Sequence, residues 1–323
     1  MNEKHHLSLE WFQNAKFGLF IHWGLYAIPA GYWNGEKSVN SAHIQCRSGI
    51  PLKEYSALAA EFNPQGFDAS FYADLALNAG MKYLVFTAKH HDGFAMYRSS
   101  VSSYNIAEAT PYGKDPLFEL STACRERGLK FGAYYSHGRD WEHPHAATGK
   151  PGTKSEGWRS NLVDYPDEAS KDITVYIREK ALPQVEEIAA YLPQLDLFWF
   201  DTPERINPEL AKPFVTAIRK HKPECLMNGR IDNQSALADF LEAADHSELE
   251  TDQPWETPDT IGSYWGYHKD DKNWKSPEEI IARLRKINEA GGNYLLNVGP
   301  DRNGEIPMEP RKILEKAGNK LQR

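Results

Sequence analysis

Short apolar runs alternate with segments of helical spacing along the whole chain. Strands are predicted at 17–24, 83–88, 129–135, 197–201, 225–228, 239–245, 255–257 and 293–299, with 239–245 the weakest of them. Runs of this length, rich in aromatic and branched residues and bounded by Gly, Pro or polar clusters, suit buried strands. Helices are predicted between them. Asp68 is a candidate N-cap for a helix over 67–78 that Gly80 stops, and a helix over 115–127 stops at Gly128. A long helix over 171–191 contains Pro183, where a kink or break is expected. A further helix covers 208–221. Ser276-Pro277-Glu278-Glu279 supplies a cap, a first-turn proline and a capping-box glutamate for a helix running to Ala290, and a terminal helix starts near Glu309. Residues 25–52 are rich in Gly, Pro, Tyr and Trp and read as a long loop over a cleft. The polar stretch 142–168 reads as an insertion or lid.

Strand–helix alternation without a composition break or an internal repeat implies a parallel sheet. Eight strand candidates, nearly all followed by polar residues, favour a single-domain (β/α)₈ TIM-like barrel over 1–323, with its chemistry at the C-terminal ends of the strands. No GxGxxG follows the first strand and no GxxxxGK[ST] occurs, which argues against dinucleotide and P-loop sites.

The formal net charge of −8 favours neither nucleic acid nor an anionic membrane surface as a partner. No apolar run approaches the length of a membrane span. Cys46, Cys124 and Cys225 are odd in number, widely spaced and without a CxxC pair. That pattern is neither a disulfide framework nor a zinc cage, and it fits a reducing compartment. Residues 1–6 show no apolar signal region, so a cytoplasmic location is the expectation. The 9 Trp and 16 Tyr exceed what is usual; most will fill the core, and the remainder suit sugar stacking.

The run Leu197-Phe198-Trp199-Phe200-Asp201 is an apolar strand that ends in a carboxylate. An Asp there is either a cap or loop-entry residue or a group facing a cleft. Other strand ends bring His22-Trp23, His90-His91, Tyr134 or Tyr135, and Arg230 toward it, and Asp245 and Glu256 follow on the next connections. Three readings remain open on the residues alone. One is metal-free catalysis on a polyhydroxylated ligand by two carboxylates. Another is a metal-dependent barrel hydrolase with His22, His90 and Asp201 as ligands. The absence of His-x-His on the first strand and the abundance of Trp and Tyr weigh against that one. The last is a carbohydrate-binding relic without catalysis.

The chain resembles the retaining α-L-fucosidases of glycoside hydrolase family 29. The matching stretches are KFGLFIHWG at 16–24, Phe62-Asn63-Pro64 with Phe67-Asp68-Ala69, Ala79–Tyr83 running into TAKHHDGF at 87–94, GLKFG at 128–132 with Tyr134-Tyr135-Ser136, Trp199-Phe200-Asp201, Trp255-Glu256-Thr257 with SYWGY at 263–267, and NYLLNVGP at 293–300. They occur in order along essentially the whole chain. The resemblance implies an exo-acting hydrolase that releases terminal α-linked L-fucose from oligosaccharides or glycoconjugates, with no metal and no organic cofactor. It implies Asp201 as the nucleophile. It implies His22, Trp23, His90, His91, Trp199 and Arg230 as contacts to fucose, with Tyr134 chosen over Tyr135 on spacing. Trp265 is a candidate wall for the C6 methyl or a platform for the ring. For the general acid/base it leaves two candidates, Glu256 and Asp245. Short family members without a C-terminal β-sandwich prefer α-1,6-linked fucose, which is the expectation here, and the reading leaves room for a homo-oligomer. Where many members carry Glu-Trp in the first long loop, this chain has Asn40-Ser41-Ala42-His43-Ile44, and His43 is expected to take over part of that contact.

Overall fold

The computed structural model describes residues 3–149 and 168–322. Its centre is a sheet of eight parallel strands: β1 Phe17–Ile21, β2 Tyr83–Lys89, β3 Lys130–Ser136, β4 Leu197–Asp201, β5 Leu226–Met227, β6 Leu241–Glu242, β7 Trp255–Thr260 and β8 Asn293–Val298. Their spatial order is β5-β4-β3-β2-β1-β8-β7-β6, and a parallel bridge between Asn228 and Phe240 joins the two ends. Every strand therefore lies beside its neighbour in sequence, and the sheet closes as a (β/α)₈ TIM-like barrel. Helices follow β1 to β4, β7 and β8, but β5 leads only to a 3₁₀ turn at Gly229–Ile231. The expected strand over 239–245 shrinks to Leu241–Glu242, because side chains replace part of the ladder there: Asp239 accepts from the Met227 amide at 2.9 Å. No helix among the described residues is long and apolar enough to cross a membrane.

Strand alternation divides the core in two. Leu19, Ile21, Leu84, Phe86, Phe131, Tyr135, Phe198 and Phe200 belong to the apolar layer shared with the outer helices. Phe20, Tyr83, Val85, Tyr134, Leu197, Trp199 and Leu295 fill the barrel with Phe12 and Ala15 of the N-terminal helix Glu3–Ala15. Phe12 lies 4.2 Å from Phe240 between ring centroids. Gly18 makes room for Tyr83: a Cβ there would stand 2.4 Å from the ring. The Tyr83 hydroxyl then reaches Glu256 Oε2 at 2.7 Å, while Trp199 Nε1 donates to Glu256 Oε1 at 2.5 Å.

The long helix expected over 171–191 is present as Ile173–Tyr176, a π-helical turn at Ile177–Ala181, and Leu182–Tyr191. Pro183 lacks an N–H and its ring would crowd the preceding turn, and the wider π turn directly before it absorbs both effects. The expected insertion over 142–168 lies outside the described residues from 150 to 167.

Glu256 is fully buried inside the barrel. Burial raises its pKa from an ordinary value near 4.5 to about 7, and the bonds from Tyr83 and Trp199 offset only part of this. The folded chain thus keeps a proton that the unfolded chain releases, so stability from this group is present below pH 4.5 and is lost as pH rises through about 7. Denaturant unfolding of wild type and Glu256→Gln from pH 5 to 8 should show wild type losing stability relative to the variant as pH rises. A difference that stays constant with pH would contradict this assignment.

Candidate active site

The C-terminal ends of the strands open into a cavity of about 230 Å³. Because Phe20 faces into the barrel, His22 two residues later does as well. Its Nδ1 lies 2.7 Å from Asn297 Oδ1 on β8, and the Asn297 amide nitrogen donates to the Trp265 carbonyl. That orientation makes Nδ1 the donor and leaves Nε2 as an acceptor toward the cavity. Burial lowers the His22 pKa to about 4, so the ring is neutral at pH 7. His90 and His91 follow β2 with ring centroids 4.1 Å apart. Burial holds both well below the usual histidine range. His91 Nδ1 is 2.7 Å from Ser136 Oγ, which itself donates to the Arg139 carbonyl.

Asp201 ends β4 with its side chain 14% exposed. Its Oδ2 accepts from the Tyr134 hydroxyl at 2.7 Å, and Oδ1 accepts from Arg230 at 2.9 Å. His91 Nε2 is 3.7 Å from Oδ2. Burial pushes this carboxyl upward, but Arg230, the Tyr134 hydroxyl and Arg139 together outweigh it and hold the pKa below the ordinary value. The next residue, Thr202, has φ +57°, a left-handed conformation unusual for a β-branched residue, and its amide donates to Asp201 Oδ1 at 2.9 Å. Gly138 permits this turn, since a Cβ there would lie 2.0 Å from the Thr202 carbonyl oxygen.

Arg230 reaches the site from the 3₁₀ turn after β5. Besides Asp201 it binds Glu242 through Nε at 2.9 Å and Asp245 through an NH2 nitrogen at 3.3 Å, and its guanidinium lies 5.0 Å from the Trp199 ring centre. Glu242 is nearly buried, and burial raises it to about 7 despite the arginine. Asp245 is 43% exposed on its side chain and lines the open side of the cavity. Phe20, Trp199 and Trp265 form an aromatic wall, with Trp265 5.0 Å from His22 between ring centroids.

A buried charge cluster supports these loops. Lys89 Nζ donates to Asp140 and to the Tyr176 hydroxyl, both at 2.8 Å. Lys180, from the π turn, binds Asp140 at 2.9 Å, Glu142 at 2.6 Å and the Gly93 carbonyl at 3.2 Å. The cluster ties the segment after His91 to the segment after β3 that carries Arg139.

His22, His90, His91, Tyr134, Trp199, Asp201, Arg230, Asp245 and Trp265 all line the cavity, and His43 joins them. Two expectations change. Trp23 points the other way along its strand, stacks on Phe67 at 5.3 Å and donates to the Asp301 carbonyl, so it belongs to the core. Glu256 lies beneath Trp199 with both oxygens engaged and does not line the cavity. Nor are His22, His90 and Asp201 grouped closely enough to share an ion; among the described residues the group that could hold one is His43, His90 and His91. Arg47, Arg139, Thr202 and Pro258 also line the cavity without having been singled out from sequence. Arg139 pairs with Glu204 at 2.5 Å, and its place directly after β3 was the available signal.

The sequence matches the model of the alpha-L-fucosidase family over residues 2–323. Human tissue alpha-L-fucosidase is 30% identical over 328 residues, covering 94% of this chain and 66% of the human protein. Its rat counterpart is 29% identical over 332 residues, with coverage of 94% and 66%. The chain thus spans about two thirds of the length of these curated relatives. Among solved structures, the alpha-L-fucosidase AlfC from Lactobacillus casei in complex with its alpha-L-fucose product is 39% identical, with a TM-score of 0.90 and 98% of both chains covered. An AlfC mutant in complex with Fucα(1,6)GlcNAc is 38% identical, with a TM-score of 0.90 and coverage of 97% of this chain and 98% of that one. The present chain belongs to the alpha-L-fucosidase family.

Proposed function

We propose that this protein is a retaining α-L-fucosidase that removes terminal α-linked L-fucose by double displacement. The observation that carries the reading is the shared guanidinium of Arg230, which holds Asp201 ionised inside the cavity and Asp245 at its open side. Two carboxylates on one guanidinium suit the separation of about 5 Å that favours a covalent glycosyl-enzyme over direct attack by water. In this reading Asp201 attacks C1 of fucose. Asp245 protonates the departing glycosidic oxygen and then takes a proton from the water that cleaves the ester. Neutral His22, His90 and His91 accept and donate hydrogen bonds to ring hydroxyls, and Tyr134 and Arg230 stay on the nucleophile. The wall of Phe20, Trp199 and Trp265 suits the C6 methyl, an apolar corner that distinguishes fucose from a hexose with a C6 hydroxyl.

Asp245 is preferred to Glu256 as acid/base because it alone lines the cavity. The AlfC complex with Fucα(1,6)GlcNAc supports α-1,6-linked fucose as the preferred substrate. The buried thiols of Cys46, Cys124 and Cys225 support a reducing, cytoplasmic setting.

With 4-nitrophenyl α-L-fucoside, Asp201→Ala should fold normally and lose about three orders of magnitude or more of kcat, the scale of losing a nucleophile. Asp245→Ala should release 4-nitrophenol in a burst, stall at the intermediate, and be accelerated by azide. Near-wild-type turnover by folded Asp201→Ala would sink the reading; azide rescue of Glu256→Ala instead would move the acid/base role to Glu256. In a panel of fucosyl disaccharides, Fucα(1,6)GlcNAc should give the highest kcat/KM, and a higher value for α-1,2 or α-1,3 linkages would overturn the linkage assignment.

A further inference from the structure

We propose that His43, His90 and His91 form a binding site for a borderline divalent cation such as Zn²⁺, which occupies the cavity in place of the sugar. They come from two separate places in the chain. His43 precedes the short helix Ile44–Arg47 in the loop after β1, and His90 and His91 follow β2. Each offers one ring nitrogen, and these nitrogens all lie within 4.8 Å of one another. Zinc–imidazole bonds of about 2.0–2.1 Å in a tetrahedron place such nitrogens roughly 3.4 Å apart, so modest turning of the rings completes the set.

Independent features point the same way. His90 is almost fully buried, and its Nδ1 has no hydrogen-bond partner. An unsatisfied buried ring nitrogen is costly, and coordination at that nitrogen would relieve it. His91 is oriented by Ser136 through Nδ1, which leaves Nε2 directed at the cavity. A hydrogen bond on the opposite ring nitrogen is how proteins orient a metal-binding imidazole. The Asp201 carboxylate, 3.7 Å from that Nε2, offers negative charge on the same side. The opposing positive charge of Arg139 is balanced by Glu204 at 2.5 Å. Three imidazoles with an open fourth position suit Zn²⁺, Co²⁺ or Cu²⁺ better than the oxygen-seeking Mg²⁺ or Ca²⁺.

The cation and the sugar would need the same histidine nitrogens, so the two exclude each other. The cation is thus a reversible inhibitor and not a participant in hydrolysis. This second half rests on the fucosidase reading; cation binding does not.

The test is titration of the metal-free full chain with Co²⁺, read from the visible absorption of tetrahedral cobalt. Wild type should show one such site, and His43→Ala should weaken it by about tenfold or more. His43→Gln serves as a second variant, with circular dichroism to check that each is folded. Absence of the band in wild type, or equal cobalt affinity in the folded variants, would overturn the site. L-Fucose should bleach the band in wild type. A band that persists under L-fucose shown by calorimetry to bind would refute exclusion alone, whereas no L-fucose binding to the metal-free protein would count against the fucosidase reading.

Discussion

One guanidinium sets the electrostatics of the cavity. Arg230 touches Asp201, Glu242 and Asp245 and lies against Trp199, so groups at the ends of β4 and β6 converge on a single cation carried after β5. Burial alone would favour protonation of Asp201. The arginine, with the Tyr134 hydroxyl, reverses that preference and keeps the carboxylate charged where water is scarce. Glu242, bonded to the same arginine and the Gly229 amide, goes the other way, because burial outweighs those bonds and the nearby Asp201 charge adds to it. Different partners around one positive charge thus shift Asp201 and Glu242 in opposite directions.

The rest of the molecule keeps that geometry fixed. Below the cavity, Trp199 is pinned by Glu256, and Glu256 by Tyr83, which is accommodated by Gly18. To one side, Asp140 lies between Lys89 and Lys180 and joins two loops through fully satisfied charges. The strained backbone of Thr202 is held by Ser136 and by the close approach of Gly138. Such strain and buried charge persist only where the surroundings over-determine them, and here they surround the nucleophile candidate.

Much of this was legible in the chain because strands of a parallel barrel are buried on both faces and read as continuous apolar runs. The 197–201 run and the polar residues at strand ends indicated both the barrel and the Asp201 corner. Alternation along a strand carried further information: Phe20 and His22 share a face, so Trp23 cannot, and Tyr134 and Tyr135 part in the same way, with Tyr135 bonded outward to Gln184. Depth along a strand was not legible. Glu256 and Pro258 both face inward on β7, but only Pro258 lines the cavity. Short β6 was obscured because Asp239 replaces part of its ladder, while Arg47 ends a four-residue helix and Arg139 follows β3 on a loop, both too short for periodicity to mark them. Family resemblance left Glu256 and Asp245 level as candidates; in the structure only Asp245 lines the cavity.

The most direct measurement is to trap the intermediate. Incubation with 2-deoxy-2-fluoro-α-L-fucosyl fluoride, followed by proteolysis and mass spectrometry, should show one fluorofucosyl group per chain, esterified to Asp201. A label on any other residue, or steady hydrolysis of the fluoride with no covalent adduct when the reaction is quenched in turnover, would contradict the account.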